Sequence, residues 1–91
     1  MSGYRLIYSE TAKNQIKKLH PELKLIIRSR IDKLKKEPFI GKRLERELSA
    51  YRSLRAKRFR IIYKLIENKK NIEIHYVGHR KDIYELLAEN Y

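Results

Sequence analysis

The chain has 91 residues, with 23 lysines and arginines against 11 acidic residues, giving a formal net charge of +12. A chain of this size buries only roughly 60–65% of its unfolded surface, so one domain with a thin core is expected, and the charge calls for an anionic partner: nucleic acid, an acidic protein or an anionic surface. The absence of cysteine excludes a disulfide framework and a thiolate zinc site, and no run reaches the ~20 apolar residues of a membrane span or the apolar core of a signal peptide, so a cytoplasmic protein with no membrane partner is expected.

Residues 4–8 alternate Tyr4, Leu6 and Tyr8 against Arg5 and Ile7, the period of a strand. Ser9 is placed to cap a helix in which Ala12, Ile16 and Leu19 recur at helical spacing and Lys13, Lys17 and Lys18 fall on the other side. That helix is expected to stop near His20. Pro21 suits the first position of a second helix, where its missing N–H costs nothing; Leu23, Ile27, Ile31 and Leu34 form its apolar stripe, and Pro38 ends it.

Residues 39–49 read as a connection with room for a helical turn or an edge strand. Three strands are expected next, over 51–56, 58–66 and 71–77, with a turn at 67–70, forming an antiparallel meander. In the middle strand Phe59, Ile61, Tyr63 and Leu65 share one face and Arg58, Arg60, Ile62 and Lys64 the other; only one face is expected to pack on the helices. After Gly78 the chain can turn, and residues 82–88 read as a short helix anchored by Ile83, Leu86 and Leu87, among the least stable parts of the fold. The fold class expected is α+β, a small antiparallel sheet on a helical hairpin, in the order strand, helix, helix, three strands, short helix.

The meander would gather Arg52, Arg55, Arg58, Arg60 and Arg80 at one end of the sheet, with Tyr84 one helical turn beyond Arg80. Fixed cations beside a phenol suit phosphate, through arginine's charge-assisted bonds, and single-stranded RNA, through aromatic stacking. A solvated strand face or a protein-binding surface is the plainer account of the same arginines. His75 and His79 have the spacing of a helical metal pair but fall on a strand and a turn with no third ligand, so neither a metal nor a cofactor is expected.

The stretch Tyr51-Arg52-Ser53-Leu54-Arg55-Ala56-Lys57-Arg58-Phe59-Arg60-Ile61-Ile62-Tyr63 and the ending Val77-Gly78-His79-Arg80-Lys81-Asp82-Ile83-Tyr84, after a strand and a helical hairpin, resemble the RelE/ParE toxin superfamily over nearly the whole chain. The resemblance implies a toxin of a type II toxin-antitoxin module, neutralised by a RelB-like antitoxin. RelE-like members cut mRNA in the ribosomal A site, and ParE-like members poison DNA gyrase without being nucleases. On the RelE side it implies that Arg60 and Arg80 grip the scissile phosphate and that Tyr84 is the active-site tyrosine, with Arg52, Arg55, Lys57, Arg58 and His79 contacting RNA. Where such nucleases carry two lysines, this chain offers Arg52 and Ser53, and arginine is a poor proton acceptor. Lys57, Tyr84 or the imidazole of His79, with an ordinary pKa of about 6.5, remain for that task. The expected function is a ribosome-dependent, metal-independent endoribonuclease; a gyrase-directed toxin and a non-catalytic basic adaptor are the alternatives.

Overall fold

The computed structural model describes residues 3–89, with the side chains of Tyr84 and of residues 86–89 outside the description. The chain runs β1 (Arg5–Tyr8), α1 (Glu10–Lys17), α2 (Pro21–Lys36), β2 (Lys42–Arg43), β3 (Tyr51–Ala56), β4 (Phe59–Ile66), β5 (Asn71–His79) and α3 (Arg80–Glu89), with 3₁₀ turns at Arg46–Leu48 and Glu67–Lys69. Both structures admitted for the 39–49 connection are therefore present, an edge strand and a helical turn.

The two helices start where local chemistry predicts. Ser9 Oγ accepts from Ala12 N–H at 3.0 Å and donates to the carbonyl of His75 at 2.9 Å, so one side chain caps α1 and ties it to β5. Pro21 opens α2, and His20 Nδ1 accepts from Glu22 N–H at 3.4 Å. Ile27, Ile31 and Leu34 of α2 and Ala12 and Ile16 of α1 are buried on the sheet, as their spacing requires.

The sheet has five strands in the order β1-β5-β4-β3-β2. From β2 to β5 it is the antiparallel meander expected, but β1 joins it parallel, with Arg5 opposite Asn71 and Tyr8 opposite Ile74. Alternation identified the strand but not its neighbour: parallel partners need a long crossover, and the helical hairpin with the intervening strands supplies it. β1 is shorter than β5, and α1 takes over where it ends, since Gln15 Oε1 accepts from Val77 N–H at 2.6 Å. The stretch of β5 leading to Arg80 is thus held by a side chain where a strand partner is missing.

Two expectations about faces change. Ile61 and Tyr63 of β4 do pack on the hairpin with Leu54, Ala56, Ile72, Ile74 and Val77, but the other face also carries a small core, in which Ile62 and Ile83 are fully buried beside Leu44, Leu48, Tyr51 and Tyr76. The hairpin covers one side of the sheet and α3 covers the other. β5, expected to end at Val77, continues through Gly78 to His79, and α3 starts at once. A Cβ at Gly78 would stand 3.3 Å from Ile83 Cδ1, so the missing side chain lets α3 lie close on the sheet. Of the expected α3 anchors, Ile83 is buried; Leu86 and Leu87 lie outside the described side chains.

Tyr63 locks the connection to the core. Its hydroxyl donates to the carbonyl of Pro38 and accepts from Gly41 N–H, both at 2.9 Å. Gly41 approaches so closely that a Cβ would lie 2.5 Å from that oxygen, so no other residue fits there without displacing the ring. Burial raises the pKa of Tyr63, opposed by the Gly41 N–H and the nearby charge of Arg52. No helix among the described residues is long and apolar enough to cross a membrane.

Candidate functional site

Strand register decides which of the sequence-predicted residues meet. Arg55 of β3 stands directly opposite Arg60 of β4, and Arg60 in turn stands opposite Gly78 of β5, two residues before Arg80 opens α3. Directly paired residues share a face, so Arg55 and Arg60 lie side by side on the α3 side of the sheet. Like charges in that position repel, at a cost of about 0.2–1 kcal/mol, and packing offers no reason to keep them together. Arg60 has no hydrogen-bond or ion-pair partner among the described residues, and Arg55 makes a single bond, from Nε to the carbonyl of Lys57 at 3.2 Å. Arg80 is exposed at the start of a helix, where backbone N–H groups add to the positive potential.

Beyond this pair the β3–β4 hairpin turns on Lys57 and Arg58. Lys57 has φ 57°, a left-handed conformation that glycine or asparagine adopts more readily and that costs a lysine on the order of 1 kcal/mol. A cation stands at the tip in spite of that strain. Arg55, Lys57, Arg58 and His79 border, with Leu23 and Phe59, an open depression of about 490 Å³. The His79 ring lies tilted on Phe59, with centroids 4.5 Å apart. Five of the expected residues, Arg55, Lys57, Arg58, Arg60 and His79, are therefore clustered at one end of the sheet, next to Arg80.

Arg52 does not join them. It pairs with Tyr63, on the hairpin side, and its Nη1 donates to the carbonyls of Gly41 at 2.9 Å and Phe39 at 3.4 Å while its guanidinium covers the Phe39 ring at 5.1 Å. These bonds fasten the 38–41 connection. The backbone of Tyr84 lies in α3 one turn after Arg80; its side chain is outside the description. His79 also sits apart from Arg60 in one respect: its cross-strand partner is Phe59, on the hairpin side, so the two residues face opposite sides of β5 and β4.

Three residues of this region were not placed at the site from the sequence. Phe59 and Leu23 were read as core, and their positions at the ends of β4 and α2 leave them half-buried at the depression. His75 is the bulged residue of β5, since Ile62 pairs with Tyr76 and Tyr63 with Ile74. Its Nε2 lies 3.0 Å from Glu73 Oε1, and Tyr51 meets its ring edge-on at 5.5 Å. A bulge leaves no mark on alternation until the partner strand is known. A second basic surface lies on the far side, a groove of about 500 Å³ between β1 and the helices, lined by Lys13, Lys17, Lys24 and Arg28 with Tyr8 and Asp32. Burial first, and Asp32 second, raise the pKa of Tyr8 against the opposing charge of Arg28.

The ion pairs among the described residues include Lys13 with Glu10 and, when the imidazole is protonated, His75 with Glu73. No group of three or more His, Asp or Glu side chains among the described residues could hold a metal ion.

The chain is thus a small basic α+β domain, a helical hairpin on a mixed sheet with arginines gathered at one sheet end. A profile described as ParE toxin of type II toxin-antitoxin system, parDE, matches residues 6–84, and the chain belongs to this family, within the RelE/ParE superfamily. It is 32% identical over 83 residues to Toxin RelG of Mycobacterium tuberculosis, covering 89% of this chain and 95% of that protein. The toxin-antitoxin complex RelBE2 from the same organism superposes with a TM-score of 0.78 at 29% identity, over 85% of this chain and 98% of that one. The isolated E. coli RelE toxin shares the fold, with a TM-score of 0.72 at 21% identity over 97% of this chain and 98% of that one.

Proposed function

We propose that this toxin is a ribosome-dependent endoribonuclease that cleaves mRNA in the A site without a metal. The observation that carries this is the directly opposed pair Arg55–Arg60, next to Arg80 and held together against its own repulsion. Cleavage without a metal uses the ribose 2′-OH as nucleophile on the adjacent phosphate. It needs a proton acceptor, stabilisation of the charge that builds on the phosphorane oxygens, and a proton for the departing 5′-oxygen. Arg60 and Arg80 supply the second requirement, with Arg55 as a further contact. Lys57, Arg58 and His79, around the depression at the hairpin tip, hold the RNA backbone to either side. Tyr84 stacks on a base and takes part in proton transfer; its helix packs on the Arg60 side of the sheet, whereas His79 faces away.

The partner proposed is a RelB-like antitoxin, as the complex RelBE2 from M. tuberculosis suggests for a relative. Its acidic residues would meet Lys13, Lys17, Lys24 and Arg28 along the groove on the hairpin side, and charge would speed the encounter. The family description favours one alternative, a gyrase poison of the ParE kind. Primer extension on a translated message separates the two. Cuts within A-site codons are expected; accumulation of cleaved DNA with gyrase, without such cuts, assigns the gyrase activity instead.

A further inference from the structure

Arg55, Lys57, Arg58 and His79 surround a floor of Leu23 and Phe59, and no acidic side chain among the described residues lines this depression of about 490 Å³. Cations gathered there without a carboxylate between them repel, and the fold does little to relieve it. The one bond of Arg55 goes to the carbonyl of Lys57, and Lys57 itself holds a left-handed backbone that glycine or asparagine adopts at less cost. The floor also departs from an ordinary surface. Phe59 is half-buried and the exposed His79 ring lies on it, with centroids 4.5 Å apart, so an aromatic platform stands open at the end of the sheet.

An aromatic floor inside a cationic rim suits a ligand that is planar and uncharged at one end and anionic at the other. A nucleotide of single-stranded RNA is such a ligand: its unstacked base lies on aromatic rings, and the phosphates to either side meet the rim. The depression falls within the roughly 300–1,000 Å³ of small-molecule sites, room for one base with its sugar. Its place along the sheet ties it to the arginine pair. Arg55 stands opposite Arg60 in register, and the bond from its Nε to the Lys57 carbonyl holds its guanidinium at the rim, so one side chain belongs to both.

We propose that the Phe59–His79 depression is a base-binding pocket, which takes one nucleobase of a single-stranded RNA from the nucleotide next to the phosphate held by Arg55 and Arg60. Phe59 supplies the ring on which the base stacks, His79 the second wall, and Lys57 and Arg58 the contacts to the flanking phosphates. The pocket rests on the nuclease reading only in taking that neighbouring phosphate as the one cleaved. Under that reading, the fit of the base in the pocket selects the nucleotide beside the cut.

An adenylate trimer made uncleavable by 2′-O-methyl sugars, compared with the same backbone lacking its bases, isolates the contribution of the bases at constant charge. The wild type should bind the base-bearing trimer more tightly by about 10-fold or more, the usual gain from stacking a base on an aromatic side chain. Phe59→Leu, which keeps an apolar side chain but removes the ring, should lower that ratio by about 5-fold or more and leave the affinity for the base-free backbone within about 2-fold. His79→Ala, at an exposed position, should move the ratio in the same direction and decides the matter where Phe59→Leu fails to fold. A ratio unchanged in the folded variants overturns the inference. Equal binding of the two trimers by the wild type also overturns it, and an acidic peptide that then displaces both would assign the depression to a protein partner. Primer extension on a translated message keeps the nuclease reading separate. A lowered ratio in the variants with no A-site cuts by the wild type leaves the pocket standing and removes the nuclease, whereas A-site cuts with an unchanged ratio do the reverse.

Discussion

The two faces of the sheet are built on different terms. On the hairpin face Ile27, Ile31, Leu34, Ile61, Tyr63, Ile72 and Ile74 are fully buried, and the polar groups that enter it are paired: Ser9 with His75, Gln15 with Val77, and Tyr63 with Pro38 and Gly41. On the α3 face, among the described residues, complete burial is limited to Ile62 and Ile83, with two opposed arginines and the orphaned hydroxyl of Ser53 beside them. A thin chain cannot optimise both sides. The hairpin face provides stability, and the α3 face carries cations that packing alone would not select.

The sharpest way to separate the faces is to remove the cations. Arg60→Ala and Arg80→Ala should each lower RNA cleavage by about 10²- to 10³-fold, the usual loss for one donor to a developing negative charge. Arg60→Ala should leave the unfolding free energy within roughly 0.5 kcal/mol, because a half-exposed cation opposed by Arg55 adds little. Single-turnover cleavage and denaturant unfolding of the same preparations measure both.

Core truncations should act in reverse. Ile31→Ala, in the centre of the hairpin face, should cost about 3–5 kcal/mol, whereas Ile83→Ala should cost nearer 2 kcal/mol because α3 can settle into the space left behind. Equal costs in urea titrations would mean that α3 is as integral to the core as α2. Tyr63→Phe comes next, at about 1–3 kcal/mol, since it leaves the Gly41 N–H and the Pro38 carbonyl unpaired. It also has a pH signature. Burial raises the pKa of Tyr63 above its ordinary value of 10.0, so the unfolded chain ionises first and stability, fully present below that pH, is lost as pH climbs past it. The Phe variant should lose less stability over that alkaline range, with the remaining loss carried in part by Tyr8, whose pKa is raised in the same direction. Smallest is Ser9→Ala, expected to cost about 1–2 kcal/mol through loss of the α1 cap and of the bond to β5.

Much of this architecture was legible in the residues because it is local. Ser9, Pro21 and Pro38 set the helix limits, and the period of 51–56 placed β3 within its observed bounds. What depends on pairing was not legible. The parallel seating of β1 and the bulge at His75 follow from register, which one strand's sequence does not state, whereas the split between Arg52 and Arg55, three residues apart on β3, was already in that strand's period. The role of Gly78 was hidden for a related reason: it answers to a helix crossing over it, which its own strand does not reveal. The arginines were visible from sequence alone, but their directions came only with the fold.

The central claim, that one face supports and the other acts, is tested most directly by comparing Arg60→Ala with Arg52→Ala for both RNA cleavage and thermal midpoint. Arg60→Ala should lose cleavage at an unchanged midpoint. Arg52→Ala, which gives up its bonds to Gly41 and Phe39, should melt lower, by about 4–8 °C per kcal/mol lost, yet cleave at close to the wild-type rate while folded. The reverse pattern, with cleavage abolished by Arg52→Ala and retained by Arg60→Ala, would contradict the division of labour between the two faces.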